Sequence, residues 1–126
     1  MPVNLIDGLM AGADISANRF EAVRLVTDDF GVRAITANTQ RPIGILQNDP
    51  NAAGKAAEVA GVGSTCKARL GGTVTRGDVL TVDADGELVV VTPGTDTTLP
   101  EVAIALQSGV DQDVVFIYYT GGGRSA

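Results

Sequence analysis

Asp78-Val79-Leu80-Thr81-Val82-Asp83-Ala84-Asp85-Gly86-Glu87-Leu88-Val89-Val90-Val91-Thr92 is the stretch that decides the fold. Two Val-rich runs, 78–82 and 87–92, flank Asp-Ala-Asp-Gly. Asp-Gly between two such runs is a strong short-range signal for a β-hairpin. The pattern continues in both directions. Upstream, residues 65–70 alternate, with Cys66, Ala68 and Leu70 on one face and Thr65, Lys67 and Arg69 on the other, which predicts a half-buried strand. Downstream, residues 102–106 and 113–119 form a second strand pair, joined through Ser108-Gly109.

The first half reads the same way. Residues 20–26 and 32–36 are strands around the turn Asp28-Asp29-Phe30-Gly31, and Pro42-Ile43-Gly44-Ile45-Leu46-Gln47 is a third, with Pro42 at its start, where a missing N–H is tolerated. Asn48-Asp49-Pro50-Asn51 and Pro93-Gly94-Thr95-Asp96 are loops. Residues 52–60 have helix-forming composition, but Gly54 and Gly61 leave little room for turns, and a strand at 57–62 is the better reading. About nine short strands with closely spaced turns predict an all-β domain, a small barrel or sandwich with little helix. Ile43-Gly44-Ile45-Leu46-Gln47 is echoed by Ala103-Ile104-Ala105-Leu106-Gln107, the sign of a chance likeness or of two similar strand–loop–strand units.

Composition agrees. The 126 residues include 16 valines, 12 threonines, 7 isoleucines and 16 glycines, so the chain is rich in β-branched residues and in turns. One domain of this length buries a core without metal or disulfide. The formal charge of −6 argues against nucleic acid as a partner. No apolar run is long enough to cross a membrane. Met1-Pro2-Val3-Asn4 has neither the basic nor the apolar stretch of a secretory signal, so a cytoplasmic product is expected.

Catalytic chemistry has little to draw on. Histidine and tryptophan are absent, and Cys66 is the sole cysteine, so a Cys-rich zinc site and a CxxC pair are excluded, and most zinc-dependent and triad-type enzymes with them. Cys66 lacks a base and reads as buried filler. Asp83-Ala84-Asp85-Gly86-Glu87 has the glycine of a calcium loop misplaced and lacks its last glutamate, so it reads as a turn. Arg76-Gly77-Asp78 also reads as a turn. Gly61-Val62-Gly63-Ser64-Thr65-Cys66-Lys67 fails as a phosphate loop, because Ala68 stands where the hydroxyl belongs and a strand follows. Asp28-Asp29 and Asp111/Asp113 flank turns and do not make a dyad. The chain is expected not to be an enzyme, with no catalytic residue, cofactor or metal.

Two features point to assembly instead. Residues 1–18 carry Leu5, Ile6, Leu9, Met10 and Ile15 without a persistent period, among Gly8, Gly12 and polar residues. They read as an extended N-terminal arm that docks on a partner, ahead of a β-rich domain at 19–120 and a flexible tail at 121–126. The last strand is apolar on both faces, with Val115, Ile117 and Tyr119 on one and Val114, Phe116 and Tyr118 on the other. Residues 87–92 likewise set Val89 and Val91 opposite Leu88 and Val90. One face of such a strand needs a cover, from the arm, from loops or from another subunit. Leu5, Ile6, Leu9, Met10, Ile15, Phe116 and Tyr118 are therefore the interface candidates.

An ordered set of segments carries a family resemblance. It runs Ala13-Asp14-Ile15-Ser16-Ala17, Pro42-Ile43-Gly44-Ile45-Leu46-Gln47-Asn48-Asp49-Pro50, residues 57–63, Gly72-Thr73-Val74-Thr75-Arg76-Gly77-Asp78-Val79-Leu80-Thr81, Asp85-Gly86-Glu87-Leu88-Val89 and Val102-Ala103-Ile104-Ala105-Leu106. Its order resembles that of the small capsid decoration (cement, head-stabilising) proteins of tailed phages, over roughly residues 13–119. The resemblance implies a β-tulip-like barrel or sandwich. It also implies a homotrimer at local three-fold sites on the outer surface of the virion head, made in the host cytoplasm, bound to the major capsid protein and stabilising the shell. Adhesion through the arm or through a sheet edge, by β-augmentation, would serve that role. The alternative reading is a non-catalytic β-domain binding module, carbohydrate- or tail-associated. Such modules display stacking aromatics, and here three of the five aromatics (Phe116, Tyr118, Tyr119) sit in the last strand.

Overall fold

The computed structural model describes residues 3–27, 29–38, 40–91 and 101–121. The loop at 93–96 and residues 122–126 of the tail lie outside them. The chain is all-β. Ten strands follow in order: β1 (Met10–Ala11), β2 (Ala22–Leu25), β3 (Gly31–Ala34), β4 (Gly44–Leu46), β5 (Val59–Ala60), β6 (Ser64–Arg69), β7 (Val79–Val82), β8 (Leu88–Val90), β9 (Ala103–Ala105) and β10 (Val114–Tyr119). Among the described residues the one helical element is the 3-10 turn Ser16–Asn18.

The strands form two five-stranded sheets, ordered β1-β3-β2-β4-β5 and β6-β10-β9-β7-β8. The hairpin expected at 78–92 is β7 and β8, paired antiparallel with Val82 opposite Leu88. Gly86 supplies the positive φ, +81°, that its turn needs, and a Cβ there would come within 3.0 Å of the Ala22 carbonyl. The alternation in β6 appears as expected, with Cys66 and Ala68 buried and Lys67 exposed. The second sheet curls until its ends meet. Leu70 bridges to Leu88, and the Gly71 N–H donates to the Leu88 carbonyl at 2.8 Å. This joint pins the two ends of the curled sheet together at one point.

The first sheet is closed by the N-terminal segment, which overturns its reading as an arm awaiting a partner. On one side the Gly61 N–H donates to Asn4, the Ile6 N–H to Val59, the Ala57 N–H to Leu9 and the Ala11 N–H to Lys55. On the other, β1 pairs in parallel with β3, Met10 opposite Gly31. Residues 4–12 thus lie as a seal between β3 and the chain around β5. Leu9 and Ile15 are buried at 7% and 3% exposure, in a cluster with Ala11, Val23, Val32, Leu46 and Val59. The physical reason is local. Gly8 (φ +82°) turns the segment, and Leu9 and Ala11, two apart, then point the same way along β1. Expected adhesion through a sheet edge is also corrected at these two joints, because their backbone groups are already paired.

A larger cluster joins the sheets. Ala22, Ile45 and Ala60 of the first pack with Cys66, Leu70, Leu80, Val82, Leu88, Ile117 and others of the second. Phe20, expected in a strand, sits instead at the junction with φ +70°. There its N–H donates to Leu46 and its carbonyl accepts from Arg69, tying the two sheets together. A bulky residue in that region costs on the order of 1–3 kcal/mol, offset here by the two bonds it makes.

The echoed segments do not share an environment. Gly44, Ile45 and Leu46 of β4 are buried on both faces, whereas β9 alternates, Ala103 and Ala105 in and Ile104 out. Burial of β4 explains its glycine. A Cβ on Gly44 would collide with the Ala60 carbonyl and come within 2.6 Å of Val59 Cγ1. Gly44→Ala is therefore expected to destabilise the protein by about 1–3 kcal/mol, as overpacking does. The check is a lower urea midpoint with the slope of the transition unchanged.

Candidate interaction surface

Strand β10 carries the first surface. Its register places Ile117 opposite Ala105 and Tyr118 opposite Ile104 on β9, and Phe116 opposite Lys67 on β6. Val115, Ile117 and Tyr119 point into the core. On the other face Val114 and Tyr118 are exposed and Phe116 is half-buried. Ile104 and Leu106 of the neighbouring strand region, each 36% exposed, extend that face. The Leu106 N–H donates to the Phe116 carbonyl, which sets the two side by side. The Lys67 ammonium lies 5.7 Å from the Phe116 ring centroid, close enough for a cation–π contact. Lys67 and Gln107 reach Phe116, while Val114, Tyr118, Ile104 and Leu106 stay exposed among the described residues.

The interface candidates divide accordingly. Phe116 and Tyr118 belong to the strip. Leu5 and Met10 keep exposed side chains at 45% and 38%, and Ile6 packs partly against the first-sheet cluster. Leu9 and Ile15 lie in the interior.

A second surface was not visible in the sequence. A cleft of about 560 Å³ opens where β2, the start of β4 and the end of β10 converge, lined by Arg24, Leu25, Arg41, Ile43, Val62 and Tyr119. Leu25 and Val62 are 55% and 65% exposed. The Tyr119 hydroxyl, pushed up in pKa chiefly by burial, donates to the Pro42 carbonyl at 3.4 Å. Arg41 beside it acts in the opposite direction.

The acidic turn is the third feature. Asp83 Oδ1 accepts from the N–H groups of Asp85 and Glu87, so this carboxylate builds the turn. Gln112 donates to both Glu87 Oε2 and Asp111 Oδ1, which brings those carboxylates together. Glu21 lies against the same end. Burial raises its pKa, the bond from Asn18 lowers it, and the nearby charge of Glu87 raises it again. Arg69 reaches Glu21 at 3.9 Å. The Arg76-Gly77-Asp78 segment is a turn, with Gly77 at φ +94° and Asp78 Oδ2 accepting from the Thr75 N–H. Cys66 is buried, and burial pushes its thiol up to about 12. The thiolate that would attack a substrate is therefore scarce at neutral pH.

No family model and no curated protein matches the chain. Among solved structures it is similar to the N base of the head fiber gp8.5 of bacteriophage phi29, with a TM-score of 0.66 and 14% identity over 90% of this chain and 92% of that one. At that identity the likeness is one of fold.

Proposed function

We propose that this chain is a structural protein of a tailed-phage head, a decoration protein on the outer surface of the shell. In this reading it binds the major capsid protein as a homotrimer at local three-fold sites and stabilises the head. It has no enzymatic role. The observation that carries the reading is the apolar strip of exposed Tyr118, Val114, Ile104 and Leu106, with half-buried Phe116 among them. The body's fold, which it shares with a phage head-fiber base, supports the setting. Side-chain contact through the strip takes the place of an arm. Many copies on a lattice then multiply a modest individual contact.

Purified chain is expected to co-sediment with expanded heads. In the double variant Phe116→Asp/Tyr118→Asp the carboxylates stay solvated in the free chain and are buried only on docking. Its melting temperature should stay within a few degrees of the parent. Its capsid affinity should fall about a hundredfold or more, given about 1.5–3 kcal/mol per buried side chain and about 1.4 kcal/mol per tenfold. Unchanged co-sedimentation of the double variant removes the strip from the interface. A parent chain that stays in the supernatant with every head preparation removes the decoration role.

A further inference from the structure

Two cation–aromatic pairs face one pocket. The pocket, of about 360 Å³, lies where the approach to β2 and the end of β4 meet β6 and β10, and Arg19, Phe20, Gln47, Lys67 and Phe116 line it. The Arg19 guanidinium stands 4.7 Å from the Phe20 ring centroid, and the Lys67 ammonium 5.7 Å from that of Phe116. A cation over a ring face at such distances is attracted to it. Both cationic residues are exposed and both aromatic residues are half-buried. In a chain of net charge −6, two cations at one pocket make a local field of the opposite sign.

Gln47 braces both pairs. Its backbone carbonyl accepts from Arg19 Nε at 3.0 Å, and its side-chain amide donates to the Lys67 carbonyl at 2.9 Å. Phe20 is fixed by the two inter-sheet bonds that hold its backbone at φ +70°. Non-glycine residues kept in that region cluster at ligand sites. Two residues along the same outward face of β6, Arg69 engages Glu21 and the Gln112 carbonyl. Lys67 is set over a ring instead. Cations fixed in this way lose less side-chain freedom when an anion arrives. Of the five N–H donors of Arg19, Nε serves Gln47, and the Nη pair forms a planar fork that matches a carboxylate in shape.

We propose that this pocket receives an aspartate or glutamate side chain of the protein partner that docks on the Phe116 strip. The inference rests on the docking role proposed above and deepens it. Phe116 belongs to both the strip and the pocket, so one docked segment covers both. Its carboxylate meets the Nη fork of Arg19 and the ammonium of Lys67, and its aliphatic stem lies on the two rings. Val3, 42% exposed, adds an apolar rim. The strip supplies non-directional apolar area, and the charged contact fixes register and selects the partner.

Two assays on the full chain separate the pocket from the docking role. In the first, without heads, the isotope-labelled chain is titrated with N-acetyl-glutamate methylamide and followed by NMR, with the glutamine analogue as the uncharged control. Amide shifts at Phe20, Gln47, Lys67 and Phe116 should saturate with the glutamate probe at roughly millimolar concentration and weaken as salt is added. The glutamine probe should not produce them. Arg19→Gln and Lys67→Gln should each weaken probe binding by about tenfold or more. Shifts that are absent throughout the soluble range of the probe, equal with both probes, or confined to other residues overturn the proposal. In the second assay, co-sedimentation with expanded heads, the same two variants should each lose about tenfold in affinity and bind with a flatter salt dependence. Lys67→Arg, which keeps the charge, should stay within a few-fold of the parent. Lys55→Gln, which removes an equal charge from an exposed site outside the pocket, should bind like the parent. The melting temperature of each variant shows that it folds. Should Arg19→Gln unfold the chain, Lys67→Gln carries both readouts. Heads that bind Arg19→Gln and Lys67→Gln as tightly as the parent, or that lose Lys55→Gln to the same extent, overturn the proposal and leave the docking role standing. Heads that retain no parent chain remove the docking role, and the probe titration then decides the chemistry of the pocket by itself.

Discussion

A chain lacking residues 2–17 is expected to be unfolded rather than merely unable to bind. The deletion removes Leu9 and Ile15 from the first-sheet cluster and Ala11 with them. Large-to-small changes at single buried Leu or Ile sites cost about 2–5 kcal/mol each, and here whole side chains and their backbone leave together. Lost as well are the backbone bonds from Gly61, Ile6, Ala57 and Ala11 that seal the sheet. A domain of this size has only about 5–15 kcal/mol of net stability. The seal's removal also bares β3 on one side and the chain around β5 on the other, two edges open to pairing between molecules. Loss of the far-UV β signal and precipitation on expression are the expected results. A soluble truncated chain with the parent's melting temperature would show that the segment is an accessory.

Ile117→Asp should be as severe, and its neighbour supplies the control. Ile117 is fully buried among residues of both sheets. A carboxylate there has no cation or donor set to receive it, and a buried unpaired charge costs several kcal/mol or shifts its pKa to become neutral at similar expense. Little folded protein is expected at neutral pH. Phe116→Asp, one residue away on the outward face, should fold, because its side chain turns towards solvent. Circular dichroism and thermal melting of the two variants side by side read the difference. If Ile117→Asp melts like the parent, the inward assignment of that face is wrong.

These two variants also mark where the sequence was readable. Alternation in β6 and β10 and the Asp-Gly turn of β7–β8 are local signals, and each places its side chains correctly. Phe116 and Tyr118 follow from the same period-two pattern. The N-terminal segment was not legible because its partners lie around residues 55–61, and pairing over that separation leaves no periodic trace. Its one hint is the spacing of Leu9 and Ala11. Phe20 was misplaced because its strained backbone answers to Leu46 and Arg69, both distant in the chain. The cleft was illegible for the same reason: Arg24, Arg41, Val62 and Tyr119 come from four separate segments.

The two joints that close the sheets have a temporal consequence. Each ties residues far apart along the chain, Leu5 to Ala60 in one and Leu70 to Leu88 in the other, and Phe20 reaches to Arg69 between them. Contacts of this kind form only after long loops have been closed, so folding is slow for the chain's length. Native bonds that form after the folding transition state slow unfolding when they are strengthened and have little effect on the folding rate. If the joints form late, their strength lengthens the lifetime of the folded state. For a protein whose role would be to stay in place, persistence is then a matter of rate, set by how seldom both joints open at once, rather than of equilibrium free energy alone.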